Sequence, residues 1–545
     1  MKIHRKTWGL LVTAVLSVPG ICAETTSGAG DPDPADSAIG EVDFPISCSD
    51  DVRADFNHAL ALLHHMMYGQ ATDTFTEITR EDPDCAMAYW GLAMASFHPL
   101  WAPPPPEAVA TGTEAIAKAE SLNPPTERER AYIDAAAAFF RDWSQDRHGE
   151  KLRAWSEAQK RVFDDNPQDN DAGALYALSL VATAPADDKE YHHQRRAGSL
   201  LQKLRKRAPQ HPAVYHYLIH SYDNPALAED ALQVARDYDK IAPEVPHALH
   251  MPSHIFVRLG IWPDTIDWNI RSAAAAKRQP AGDATSLHYY HALDYLMYAY
   301  LQQGRDEKAQ QVLEKVTAAE NPQDKFASAY GIAASRARFP LETRDWQGAA
   351  DLRERSHPEF PWHKYPWVES LIQFTRGIGA ARAGDPEGAE AAARKMDELH
   401  QRTLEAGEEY WATRVDAQRL AVRAWSVYAT GQKGLALKQM RRAAKVEDSV
   451  DKHPVTPGAP LPARELFGDM LLANDQPAQA LHAYEESLAV SPKRLNSLYG
   501  AARAAEQAGQ GDKAREYYRE LVRMGGDKGG EREALQRARK YLEGN

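Results

Sequence analysis

The chain has 545 residues, of which 26% are charged and 43% hydrophobic, with 77 acidic residues against 64 Lys and Arg. That length is more than one ordinary hydrophobic core serves, so several domains or a repeat array are expected. A formal charge of −13 excludes a sequence-independent grip on nucleic acid or anionic lipid, which needs a basic footprint.

At the N-terminus, Lys2, Arg5 and Lys6 precede an apolar run from Trp8 to Val18, and Pro19 and Gly20 break it before Ile21-Cys22-Ala23. A basic start, a short apolar run and a small residue at its end read as a secretory signal over residues 1–23. The run is too short to span ~30 Å of hydrocarbon, so no stable membrane insertion is expected once it is removed. Ile21 is not the small residue that a lipidated Cys22 needs before it. The expected location is the periplasm or the outside, and cleavage makes the chain more acidic still. Residues 24–44 are rich in Gly, Pro, Asp and Ser and read as a flexible leader. Two cysteines then remain, Cys48 and Cys85. In an oxidising compartment an even pair favours a disulfide, with buried thiols or a metal-ligating Cys as the alternatives.

From residue 45 onward one grammar recurs about every 34 residues: helix, turn, helix. Counting from Val52 puts Ala71 at position 20, Phe75 at 24 and Pro83 at 32. Counting from Pro212 puts Leu218 at 7, Ala231 at 20 and Pro243 at 32. Counting from Leu461 puts Gly468 at 8, Ala480 at 20, Tyr484 at 24 and Pro492 at 32, and from Leu495 puts Ala502 at 8 and Ala514 at 20. Further pairs centre on Ala197, Ala309, Ala349, Ala389 and Ala436. Small residues let paired helices approach, and Pro stops the second helix because it lacks an N–H. No segment shows sustained period-2 alternation, so strands should be nearly absent. This pattern resembles the tetratricopeptide repeat superfamily. It implies an all-α fold, a right-handed superhelical solenoid of helix-turn-helix repeats, and residues 530–543 fit a C-terminal capping helix.

The expected organisation is N-terminal repeats over 45–125 and central repeats with a His-rich groove over 126–338. A Pro/Trp-rich connection follows over 339–369, then repeats over 370–450, and C-terminal repeats with the capping helix over 451–545. The Pro-rich stretches at 99–106, 339–366 and 451–462 read equally as functional loops or as edge packing.

One feature exceeds a generic array. Eight of the 21 histidines lie between residues 211 and 291: His211, His216, His220, His247, His250, His254, His288 and His291. In the register from Pro212, His216 and His220 fall at positions 5 and 9. One repeat later, from Pro246, His250 and His254 fall there again, with His247 at position 2. Counting from Tyr290, His291 falls at 2 and Asp294 at 5. Steps of three and four return to one helical face, and in the superfamily that face lines the concave groove. Three readings stay open. The first is a transition-metal site on His216, His220, His250, His254 and His291, for an ion such as zinc or copper, with Asp223 or Asp294 adding a carboxylate. The second is a groove in which the histidines, Arg258 and Tyr298 meet an anion or peptide. The third is structural packing. Pro252 either kinks this helix or starts it, leaving His247 to Met251 as an extended lead-in. His64 and His65 with Met66 and Met67 carry a fainter copper signal, and His98 is a minor groove candidate.

The stretches Asp82 to Gly91, His247-Ala-Leu-His250-Met-Pro252-Ser253-His254-Ile-Phe256 and Pro462 to Met470 resemble an uncharacterised family of exported bacterial tetratricopeptide-repeat proteins. That resemblance supports the fold and implies no activity. No catalytic motif is present: no phosphate loop, nucleophile elbow or dinucleotide fingerprint. The expected function is an exported scaffold holding a protein, peptide or small ligand in its groove. The alternative is a metal-binding protein or metal-dependent enzyme using the histidine array.

Overall fold

The nine alanines that set the repeat register, Ala71, Ala197, Ala231, Ala309, Ala349, Ala389, Ala436, Ala480 and Ala514, are all fully buried. Each sits where two helices press together, as the spacing requires. The computed structural model describes residues 39–544 apart from 102, 186, 187, 527–529 and 531. The signal peptide expected at 1–23 and the leader residues 24–38 lie outside the described residues. The described chain is a succession of helices from Arg53–His64 to Glu533–Gly544, each packed on its sequence neighbours. Among the described residues the only β-type pairing is two isolated bridges, Ala281 with Ala284 and Thr285 with Pro322. The all-α repeat superhelix is therefore the fold.

The glycine positions obey the same logic. Tyr484 is fully buried between two helices that each present a glycine to its ring. A Cβ on Gly468 would sit 2.8 Å from that ring, and one on Gly500 only 2.2 Å. Gly500→Val is expected to lower stability by about 1–3 kcal/mol through overpacking. A lower urea midpoint with an unchanged slope would show it.

Two expectations need correction. The leader does not run to residue 44. Phe44 is fully buried against Phe56, Trp90 and Tyr132, with the Arg128 guanidinium 3.9 Å from its ring centre. Glu41 also donates its backbone N–H to Gln210 at 2.9 Å. Composition suggested a solvated tail, but one aromatic anchor outweighs it. Beside it, Cys48 and Cys85 form the disulfide.

The connection expected at 339–369 is largely built into neighbouring helices. Phe326–Thr343 continues through Pro340, Trp346–Ala350 adds a short helix, and Pro366–Ala383 begins at Pro366. Trp362 and Trp367 are buried there, and the Trp362 indole donates to the His357 carbonyl at 2.8 Å. These aromatics pack the edge.

The C-terminal part of the array also bonds directly to the central helices. Trp262 donates to the Lys493 carbonyl at 3.1 Å, and Leu495 donates its N–H to Gln302 at 2.9 Å. Arg494 pairs with Glu342 at 2.6 Å and Glu465 at 2.7 Å. The C-terminal repeats thus lie against the central ones. Residues 451–462, between them, cross the central helices: Tyr295 donates to the Pro454 carbonyl at 2.9 Å, and Arg338 donates to Thr456 and to the Gly458 carbonyl, both at 2.8 Å. The capping helix Glu533–Gly544 buries Leu535 and Ala538 as expected.

Candidate metal centre

Three helices carry the histidine array: Pro212–Tyr222, the pair Pro246–His250 and Pro252–Leu259, and Leu287–Gln302. Met251 keeps helical dihedrals between the middle two segments. Pro252 therefore kinks one helix, and the extended lead-in is overturned. The kink leaves His250 and His254 on one face.

That face points inward. His216, His220, His247, His250, His254 and His291 are all buried, none more than 7% exposed. The expectation of an open concave groove at this address is corrected, because residues 452–458 and the indole of Trp101 lie over it. Trp101 stands 6.1 Å from the His220 ring and 6.2 Å from His453.

The rings form two adjoining trios. In the first, His216, His220 and His247 bring one nitrogen each within 4.8 Å of one another, and in the second His250, His254 and His291 do the same. The trios abut through His220–His254 and His247–His250, with ring centres 6.0 and 6.2 Å apart. Sequence reasoning placed His247 in the groove but not among metal ligands. His288, 5.3 Å from His247 between ring centres, borders the set.

Hydrogen bonds fix the tautomers of His250 and His254 in the second trio. The Asn269 amide nitrogen donates to the Thr265 carbonyl at 2.7 Å and to Ser253 at 2.6 Å. Its oxygen must therefore face His250, so His250 Nδ1–H donates to it at 2.8 Å. His254 Nδ1 faces the Asp223 carboxylate at 2.9 Å and must likewise donate. Both Nε2 atoms are then acceptors in the neutral rings, and they face each other at 3.2 Å. Two lone pairs at that distance repel unless a cation lies between them. Two imidazoles on one tetrahedral ion, with bonds of about 2.0–2.1 Å, place their nitrogens about 3.3 Å apart.

Asp223 orients rather than ligates. Arg258 donates to its carboxylate at 2.7 Å and to its carbonyl at 2.9 Å, and Lys452 lies 3.3 Å away. Burial pushes this carboxyl up, but Lys452, Arg258 and His254 outweigh it and hold it well below the usual range. Burial brings Lys452 down to about 8 despite Asp223. A carboxylate bonded to the outer nitrogen of a ligating histidine fixes ring direction and raises basicity. Burial, followed by the neighbouring imidazoles, pushes His250 and His291 well below their usual range.

Other expected site residues lie elsewhere. Asp294 is spent on Arg338 at 2.7 Å, both fully buried, and so anchors residues 456–458 rather than a ligand. Tyr298 lies beside Arg338 and Arg494. Arg258 is taken by Asp223. His98 stacks on Tyr68 at 3.9 Å. His64 bonds Tyr217 and Asp171, and His65 bonds Tyr238 and the Ile39 carbonyl, so their four nitrogens are occupied. Met66 and Met67 are core residues. The copper signal there was structural packing. Asp171 also accepts from His211 Nε2 at 3.1 Å, so its carboxylate joins the His64 and His211 rings by hydrogen bonds. The Cys48, Asp82 and Cys85 cluster has its sulfurs in the disulfide. Asn269, Lys452 and His453 were missed because nothing in their sequence spacing ties them to the array.

Residues 496–524 match the tetratricopeptide repeat family model. The last full repeat thus carries that pattern, and the helix pairs before it repeat its packing. Such repeats suggest protein–protein interaction. No protein with a curated description matches the chain. Among solved structures, a monomeric mutant of IFIT1 with m7Gppp-AAAA aligns over 88% of this chain and 96% of its own, at 12% identity and a TM-score of 0.33. At that score the alignment adds no argument. No helix among the described residues is long and apolar enough to cross a membrane.

Proposed function

We propose that this chain is an exported metal-binding helical-repeat protein whose ion, zinc or copper in class, is held by His250, His254 and His291. One observation carries the reading: two buried acceptor nitrogens, His250 Nε2 and His254 Nε2, face each other at 3.2 Å with their other nitrogens engaged. Neutral imidazole suits these ions. Three protein ligands leave one tetrahedral position for water or a small ligand. The Cys48–Cys85 disulfide supports an oxidising compartment. A protein partner fits the repeat fold, but it would have to dock away from the covered histidine face.

The test is zinc-linked stability in protein purified without a His tag and stripped by chelator. Zinc at 100 times its Kd is expected to stabilise the wild type by about 2.7 kcal/mol for this site. The doubly substituted His250→Ala, His254→Ala chain should lose that increment. An equal zinc response in both chains would refute the assignment.

A further inference from the structure

The first trio has a chemical problem that the second does not solve. His216 Nδ1–H donates to the His64 carbonyl at 2.6 Å, so its Nε2 is an acceptor. That Nε2 is buried and has no hydrogen-bond partner. His220 Nε2 is in the same condition, and so are both ring nitrogens of His247. Four buried nitrogens without a partner therefore belong to three adjoining rings. Leaving such groups unmet costs about 1–3 kcal/mol each, and a concentration of them in three adjoining rings calls for a reason. Packing alone is a poor reason, since leucine or methionine would fill this space without the penalty.

We infer that His216, His220 and His247 hold a second transition-metal ion beside the first. The inference rests on the proposed function for its neighbour, but a different observation carries it. One nitrogen from each ring already lies within 4.8 Å of the others, and closing on an ion needs shifts of about an ångström. Neutral imidazoles are the only donors in the trio, so the ion is one that accepts an all-nitrogen set, with zinc and copper(I) as probes. The trios touch through the His220–His254 and His247–His250 ring pairs, so the two ions would lie in adjoining buried sites.

The experiment counts metal per chain. Full-length mature protein without a His tag is stripped, loaded with zinc or with copper(I), freed of unbound ion, and measured by inductively coupled plasma mass spectrometry. The wild type is expected to hold two ions. His247→Gln is a gentle probe, because His247 makes no hydrogen bond that the change would break. It should leave one ion, and His250→Ala with His254→Ala should leave the other. A wild type holding one ion, unaffected by His247→Gln but lost with the His250 and His254 pair, overturns the second site and spares the first. One ion lost in either variant means a single ion shared across both trios, and also overturns it. No retained ion overturns both sites and points to ordered water on these nitrogens. A wild-type count below two overturns the second site even if a variant fails to fold.

Discussion

Arg494→Met is expected to cost the fold about 3–5 kcal/mol, because it strips the cation from two buried carboxylates. Arg494, Glu342 and Glu465 are all fully buried. The guanidinium lies 2.6 Å from Glu342 and 2.7 Å from Glu465, and Glu465 also accepts from Ser497 at 2.6 Å. These contacts fasten the helix Leu495–Gln507 to the helices Phe326–Thr343 and Ala463–Leu472. Methionine fills much of the arginine stem's volume, so the loss reports charge rather than a cavity. Adding Glu342→Gln and Glu465→Gln to the same chain should recover much of it, since replacing all members of a buried ion network is far cheaper than removing one. Guanidinium unfolding curves of the three chains check this. An Arg494→Met midpoint equal to that of the wild type would mean the C-terminal repeats are not held this way.

The second large effect is acid lability. Burial brings His65 and His98 down to about 4, and His453, also by burial with help from Lys452, down to about 3. In the unfolded chain these groups titrate near 6.5. The unfolded chain therefore binds protons below pH 6.5 that the folded chain refuses, and stability falls as pH falls. Full stability is present above about 6.5 and drains away down to the folded values. Each such imidazole contributes about 1.4 kcal/mol per pH unit through that window, or up to about 3 kcal/mol by pH 4. Three of them, with the other buried imidazoles acting in the same direction, rival a whole domain's stability of about 5–15 kcal/mol. The far-ultraviolet helical signal should be lost above pH 4 in the metal-free protein. A helical signal and melting temperature that stay level from pH 7 to 4 would contradict it.

The fold was legible because its grammar is periodic. Ala71, Ala231 and Ala480, and the Gly468–Tyr484 contact, are local consequences of two helices approaching closely. The histidine stripe was legible for the same reason: positions five and nine of successive first helices share a face. Periodicity does not say whether that face meets water. The answer depends on residues 451–462 and on the return of the C-terminal repeats, which rest on pairs such as Trp262 with Lys493 and Arg338 with Thr456, more than a hundred residues apart. Such pairings leave no repeat in the sequence. Composition misled at the leader, where Phe44 alone outweighs a polar neighbourhood. The tautomer-fixing partner Asn269 was invisible for a plainer reason: it sits on the second helix of its pair, where no histidine pattern leads.

Zinc K-edge X-ray absorption on the loaded wild-type protein tests the metal centre most directly. The expected spectrum is a nitrogen shell at about 2.0–2.1 Å with outer-shell scattering from imidazole carbons. In the His250→Ala, His254→Ala chain the height of the zinc edge per protein should fall by the ion lost. An oxygen-only shell in the wild type, or an edge height per protein identical in the two chains, would contradict a histidine-held ion at His250, His254 and His291.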